Sequence, residues 1–141
     1  MCAMHLNITS EVRNAFQELR KSRVPYHTIV LSTDTTELSV NLVSEFKEGI
    51  PLEDVAATLP TNAPRIIICM PERVHPDGRK SYPMVLIPYC PPNLSPQANI
   101  VFSNARSQIA LEFQLQNIWE VKKKYGLSNE TLAEKLASGK W

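Results

Sequence analysis

The sequence predicts an α/β (α+β) domain: one central mixed β-sheet with helices on both faces. Three observations carry this. The runs "RIIICM" (65–70) and "MVLI" (84–87) are unbroken stretches of apolar residues, the pattern of strands buried on both faces at the centre of a sheet. Helix-patterned segments alternate with hairpin-like pairs of strands rather than with repeated crossovers, which favours a mixed sheet over a parallel one. The length, 141 residues, suits a single domain with one sizeable core, expected to span 1–141 with an ordered part from about 8 to 138.

Each element has its own signal, and the expected order is α-β-β-α-β-β-α-β-α. Thr9 or Ser10 can cap a first helix whose Val12, Ala15, Phe16 and Leu19 fall at helical spacing, with Arg20 and Lys21 where cations suit the helix dipole. "YHTIVLS" and "ELSVNLV" are β-branched or alternating, and "TDTTE" between them reads as a hairpin loop. Pro51 suits the first turn of a short helix with Leu52, Val55, Ala56 and Leu59 as its buried stripe, and Pro60 stops it. The two central runs follow, and Pro88, which cannot donate to a ladder, is expected to end pairing near Ile87. Ser95 caps and Pro96 opens the longest helix, with Ala98, Phe102, Ala105, Ile109 and Phe113 on one face. "LQNIWEV" can continue that helix or alternate as a strand; its Ile, Trp and Val favour the strand, and Gly126 ends the segment. Ser128 then caps a last helix with Leu132 and Leu136 inward, ended by Gly139.

Charge and chemistry exclude several function classes. Fifteen Lys plus Arg stand against fourteen Asp plus Glu, so no whole-molecule field draws the chain to nucleic acid or to a membrane. No apolar run approaches the roughly 18 residues of a membrane span, and no basic-then-apolar leader is read at the start, so a soluble, intracellular protein is expected. Cys2, Cys69 and Cys90 are odd in number and lack metal-ligand spacing, which argues against a disulfide framework and against zinc. His5, His27 and His75 have no partner at ligand spacing, and Glu53 and Asp54 complement the dipole of a helix. The four glycines form no phosphate-binding pattern. No enzyme, metal or cofactor is expected.

What remains is surface. Three small basic groups stand out: Arg20, Lys21 and Arg23 after the first helix; Arg73, Arg79 and Lys80 around the "HPDGRKSYP" hairpin; and Lys122, Lys123 and Lys124 after the last strand. Taken alone, each is an ordinary solvated cluster.

The segments "NIVFSNARSQI", "HPDGRKSYP" and "LPTNAPRIIIC" together resemble the glia maturation factor family, a branch of the actin-depolymerizing-factor homology fold shared with cofilin. The resemblance runs from about Ile8 to Lys135. It implies that the protein binds the actin-related protein 2/3 complex, inhibits branch nucleation and promotes debranching, while binding actin weakly or not at all. It also implies a monomer in the actin-rich cortex or patches of the cytoplasm, with the nucleus open as well. By the same analogy the start of the long helix, with Val101, Ser103, Asn104 and Arg106, would enter the groove at the barbed end of an actin-like subunit. Arg20, Lys21, Arg23, Arg73, Arg79 and Lys80 would form a second contact surface.

Within this helix "SNARSQIALEFQ" offers only Arg106 as a cation, which weakens steering toward an acidic filament and favours this branch over the severing one. Gln108 stands where the family commonly has a second cation, and Ser22 where it commonly has an aromatic. The alternatives are a cofilin-like severing protein and a small enzyme using Cys90 or His75.

Overall fold

The computed structural model describes residues 5–22, 24–123 and 127–139. Helix α1 (Ser10–Lys21) buries Val12, Ala15, Phe16 and Leu19 and carries Arg20 and Lys21 in its last turn. Thr9 occupies the N-cap, but its side chain makes no capping bond and its hydroxyl is buried without a partner. Preceding it, β1 (Asn7–Ile8) pairs in parallel with Ser39 and Val40, a strand that two residues of sequence are too few to signal.

β2 (His27–Asp34) and β3 (Ser39–Phe46) form the expected hairpin. Its loop is held by the Asp34 carboxylate, which accepts hydrogen bonds from the Thr36 and Glu37 amides at 2.8 and 2.9 Å. Leu38 takes a left-handed φ of 51° and so belongs to the turn rather than to the strand. Further along, Leu31 faces Leu42 while Val30 faces Ser44, which leaves Val43 as the extra residue of a β-bulge and 47% exposed. The alternation anticipated for "ELSVNLV" therefore breaks at Val43.

α2 (Leu52–Thr58) follows a turn at Gly49, where φ is 89° and a Cβ would lie 2.4 Å from the Pro25 carbonyl oxygen. Only glycine fits there. Pro51 stands at the N-cap with no side chain to offer, and the cap comes from far along the chain. Asn129 Oδ1 accepts from the Leu52 amide at 2.8 Å, while the Asn129 amide donates to Glu53 Oε1 at 2.7 Å. The starts of α2 and of α4 (Asn129–Ser138) cap each other.

The six-stranded sheet runs β1-β3-β2-β4-β7-β8, with β4 (Arg65–Met70), β7 (Val85–Tyr89) and β8 (Asn117–Ile118). It is antiparallel from β3 through β7 and parallel at both edges. A separate ribbon of β5 (Arg73–Val74) and β6 (Lys80–Ser81) projects between β4 and β7. Pairing does not stop at Ile87, because Pro88 and Tyr89 continue opposite Ile66 and Arg65. The Pro88 carbonyl accepts from Val121, on the β8 side, so its missing N–H lies on that side too. The ladder to β4 loses nothing.

Side chains of β4 divide the core in two, as a strand covered on both faces must. Ile66, Ile68 and Met70 pack with α1 and with α3 (Pro96–Glu112) through Phe16, Leu19, Val101 and Phe102. Ile67 and Cys69 pack on the other face with α2 and α4 through Val55, Leu59, Leu132 and Leu136. Ser95 Oγ accepts from the Ala98 amide and Ser128 Oγ from the Thr131 amide, both at 3.1 Å, and Gly139 ends α4 in the left-handed region. Gly126 lies outside the described residues.

Candidate partner-binding surfaces

Helix α3 has two uncharged faces, and they do different work. Val101, Phe102, Ala105 and Ile109 anchor it to the sheet. On the opposite side Ile100, Ser103, Asn104, Ser107 and Leu111 recur at helical spacing, with Ile100 54% and Leu111 83% exposed. This outward face carries no charge.

The residues expected to share a contact face do not all do so. Four positions drawn from 101–106 turn through most of the helix circumference, at about 100° per residue. Val101 is 1% exposed in the core, so its side chain seats the helix and is closed to a partner. Ser103 is exposed, and Asn104 is half-buried, with its amide donating to the Ile100 carbonyl at 2.8 Å. Arg106 leans to the flank, 3.5 Å from the Glu120 carboxylate. Ile100, Ser107 and Leu111 complete the outward face, and their spacing opposite Val101 and Ala105 is the signal that could have found them.

Gln108 has a structural duty of its own. Its carboxamide accepts from the Leu6 amide at 2.8 Å and donates to the Leu6 carbonyl at 2.6 Å, fastening the chain before β1 against α3. A lysine or arginine could donate but not accept, so an amide is the group this double contact requires. Arg13 helps, donating to the Ile8 carbonyl at 2.6 Å while pairing with Glu112 at 3.0 Å.

The ribbon turn is built by chemistry its sequence announces. The Gly78 amide donates to the His75 carbonyl at 2.9 Å around Pro76 and Asp77, and Gly78 has a φ of 91°. Much of its positive charge is answered locally. Arg79 Nε lies 2.6 Å from Asp77 Oδ2, and Lys80 Nζ lies 3.9 Å from Glu72, which also accepts from the Tyr82 hydroxyl at 3.3 Å. The Arg79 amide and side chain hold the Asp77 carboxyl below its ordinary range. His75 and Ser81 tie the two strands at 2.9 Å. Arg73 is half-buried at the base, and Arg20 and Lys21 are exposed on α1. Arg23 and Lys124 lie outside the described residues, and Lys122 and Lys123 are exposed.

Among the described residues neither cysteine is activated. Burial pushes the Cys69 thiol up to about 12, and burial with the Glu120 charge raises that of Cys90, so neither is a ready thiolate. His27 is 3% exposed with both ring nitrogens unpartnered. Burial lowers its pKa, while Glu45 and Glu18 partly oppose the shift. Among the described residues no group of three His, Cys, Asp or Glu could hold a metal ion, and no helix is long and apolar enough to cross a membrane.

A mixed sheet sandwiched by paired helices, with a projecting ribbon and a long exposed helix, is the architecture of the cofilin-like fold. The family model for cofilin/tropomyosin-type actin-binding proteins matches residues 5–137. The chain belongs to that family. Among its curated relatives, the glia maturation factor of Drosophila melanogaster is 27% identical over 92% of this chain and 94% of the relative. Human glia maturation factor beta is 29% identical over 85% of this chain and 87% of the relative. The solution structure of glia maturation factor from Caenorhabditis elegans covers 96% of this chain and 98% of its own, with a TM-score of 0.80 at 24% identity. At that identity the structural likeness speaks for the fold, and the coactosin of Entamoeba histolytica shares it at a TM-score of 0.77 and 18% identity. Membership thus makes the protein one of an actin-regulating family, and its nearness to glia maturation factors agrees with the resemblance read from the sequence.

Proposed function

We propose that this protein regulates branched actin by binding the actin-related protein 2/3 complex, hindering nucleation of new branches and releasing existing ones, with little affinity for actin itself. The observation that carries this reading is the uncharged outward face of α3. Exposed Ile100 and Leu111 flank Ser103, Asn104 and Ser107, and the one cation of the region, Arg106, is drawn aside by Glu120. A cofilin-like severing protein working on an acidic filament gains from cations on this helix, and here they are lacking. Relatives that share most of the chain's length are named glia maturation factors, which supports the same choice.

The mechanism needs no bond-making chemistry. A ligand loosens a junction when it binds the opened complex more tightly than the intact branch. Occupying the barbed-end face of an actin-like subunit in the complex meets that condition, because the first subunit of the daughter filament requires the same face. One contact then serves both inhibition and disassembly. The cations Arg20, Lys21, Arg73, Arg79 and Lys80 serve as a second contact, with Arg23 in the same group by sequence, and the protein acts as a monomer in the actin-rich cortex of the cytoplasm.

The test is a pull-down with the purified nucleator complex beside sedimentation with plain actin filaments. Capture of the complex with filaments left in the supernatant is expected. Tight filament binding with severing, and no capture of the complex, would replace this reading with the cofilin-like one. Within the first outcome, Asn104→Ala with Arg106→Ala should weaken capture without lowering Tm.

A further inference from the structure

A groove of about 710 Å³ opens between the outer turns of α1, the C-terminal end of α3 and the base of the β5–β6 ribbon. Its lining includes none of Ile100, Ser103, Asn104, Ser107 or Leu111. Its floor is apolar: Phe16 and Phe113 stack with ring centroids 4.0 Å apart and an interplanar angle of 5°, and half-buried Tyr82 and Met84 extend it toward the ribbon. The rim is rich in carboxamides, with Gln17 on one side and Gln114, Gln116 and Asn117 on the other. Gln114 holds a φ of 56°, which turns the chain sharply off the end of α3 and opens that side.

The charge at this rim is unbalanced. Glu112, the groove's sole carboxylate, is engaged by Arg13 at 3.0 Å, whereas Arg20, one α-helical turn pair further along, is exposed and makes no ion pair among the described residues. Lys21 stands next to it, also exposed.

We propose that this groove is a docking site for a short acidic peptide segment carrying one large apolar anchor residue. Each part of the lining answers a part of such a ligand. Carboxamides both donate and accept, so Gln17, Gln114 and Asn117 match the alternating N–H and C=O groups of an extended main chain. The aromatic and thioether floor takes the anchor side chain, as methionine-lined surfaces adapt to varied apolar shapes. Arg20 meets the ligand's carboxylates. The volume falls within the range of sites that enclose small ligands. A phosphoinositide headgroup is a poorer match, because anionic lipid recognition calls for clustered cations and here Glu112 sits among them. The proposal stands whether or not α3 engages a nucleator: its ligand is different, and although Arg20 is shared with the second contact proposed above, no residue of the outward face of α3 lines the groove.

The experiment uses the full chain and a fluorescein-labelled peptide of aspartate and glutamate around one central tryptophan, followed by fluorescence anisotropy at low and at physiological salt. Saturable binding that weakens with salt is expected. Replacing the tryptophan by alanine, or the acidic residues by lysine, should abolish it. Arg20→Glu should weaken it about tenfold and Gln17→Glu severalfold, both on the exposed side of α1 where folding is unaffected, while Ile100→Asp on α3 leaves it unchanged. Equal binding of the lysine peptide, or unchanged affinity in both α1 variants, overturns the proposal. So does Arg20-dependent capture by vesicles containing phosphatidylinositol bisphosphate in the absence of peptide binding. None of these measurements involves actin or the nucleator complex, so failure of this site and failure of the proposed function are separable.

Discussion

The outward face of α3 and the β5–β6 ribbon are both exposed, yet they are made of opposite materials. The helix face offers uncharged side chains on a rigid element whose other side is locked into the core by Val101, Phe102, Ala105 and Ile109. The ribbon offers charge, and Asp77 and Glu72 already answer Arg79 and Lys80. Desolvating apolar surface on a preorganised helix yields binding energy, while solvated ion pairs yield little and chiefly steer or orient. A partner that touches both should therefore draw its affinity from the helix and its geometry from the ribbon.

The sharpest way to break that comparison is to charge the helix face. Ile100→Asp with Leu111→Asp should cost about 2–3 kcal/mol of affinity for the purified nucleator complex, roughly a hundredfold, with Tm unchanged because both side chains are exposed. Unaltered affinity in a binding titration would move the energetic centre to the ribbon. Gln108→Lys tests whether the helix also organises the chain before β1. It removes the acceptor for the Leu6 amide and should cost about 1–3 kcal/mol of stability in denaturant unfolding. Amide exchange at Leu6 should accelerate as well, and unchanged exchange there would show that the clamp is idle.

A smaller effect is expected at the ribbon. Arg79→Ala with Lys80→Ala should alter affinity by about 1 kcal/mol or less and leave Tm unchanged, yet slow the loss of branches under the microscope by a larger factor. If affinity and branch loss fall in proportion, the ribbon is not a separate contact.

Acidification sharpens both tests, since it separates stability from binding. His27 is buried beside Glu18 of α1 and beside Glu45 and Lys47 at the end of β3, and desolvation lowers its pKa from the ordinary 6.5. The fold thus disfavours the protonated ring. Its contribution is present in full above pH about 6.5 and is lost as pH falls below that value. Melting curves at pH 7.5 and 5.5 should show a shallow decline for the native chain and a smaller one for His27→Leu; equal declines would assign the loss to other groups.

Much of the fold was legible in the sequence where a repeating pattern was long enough to read. α1, α2 and α3 follow from stripes of three or more apolar positions with a capping residue or a proline nearby, α4 from Leu132 and Leu136 between Ser128 and Gly139, and β4 and β7 from runs buried on both faces. β1 was not legible, since two residues have no period and exist as a strand only because β3 has an edge beside them. The bulge at Val43 escaped for a related reason: it is a mismatch between two strands and belongs to neither alone. The end assigned at Pro88 was wrong because a proline's missing donor matters only on the side it faces, and that side is set by the neighbouring strand. In the candidate site, the resemblance implied Val101 as a contact, whereas helical rotation turns it inward and brings Ile100, Ser107 and Leu111 out.

By itself the sequence determined the four helices, the β2–β3 hairpin and the two central strands, which of their faces are apolar, and that no strong net charge surrounds the molecule. Those properties are local or additive, so they can be read residue by residue. Only the tertiary structure decided which charges remain available and which apolar positions stay in solvent. Arg106 meets Glu120, and Arg13 meets Glu112, across distances that chain order does not encode, because pairing depends on where the packed sheet places each helix end.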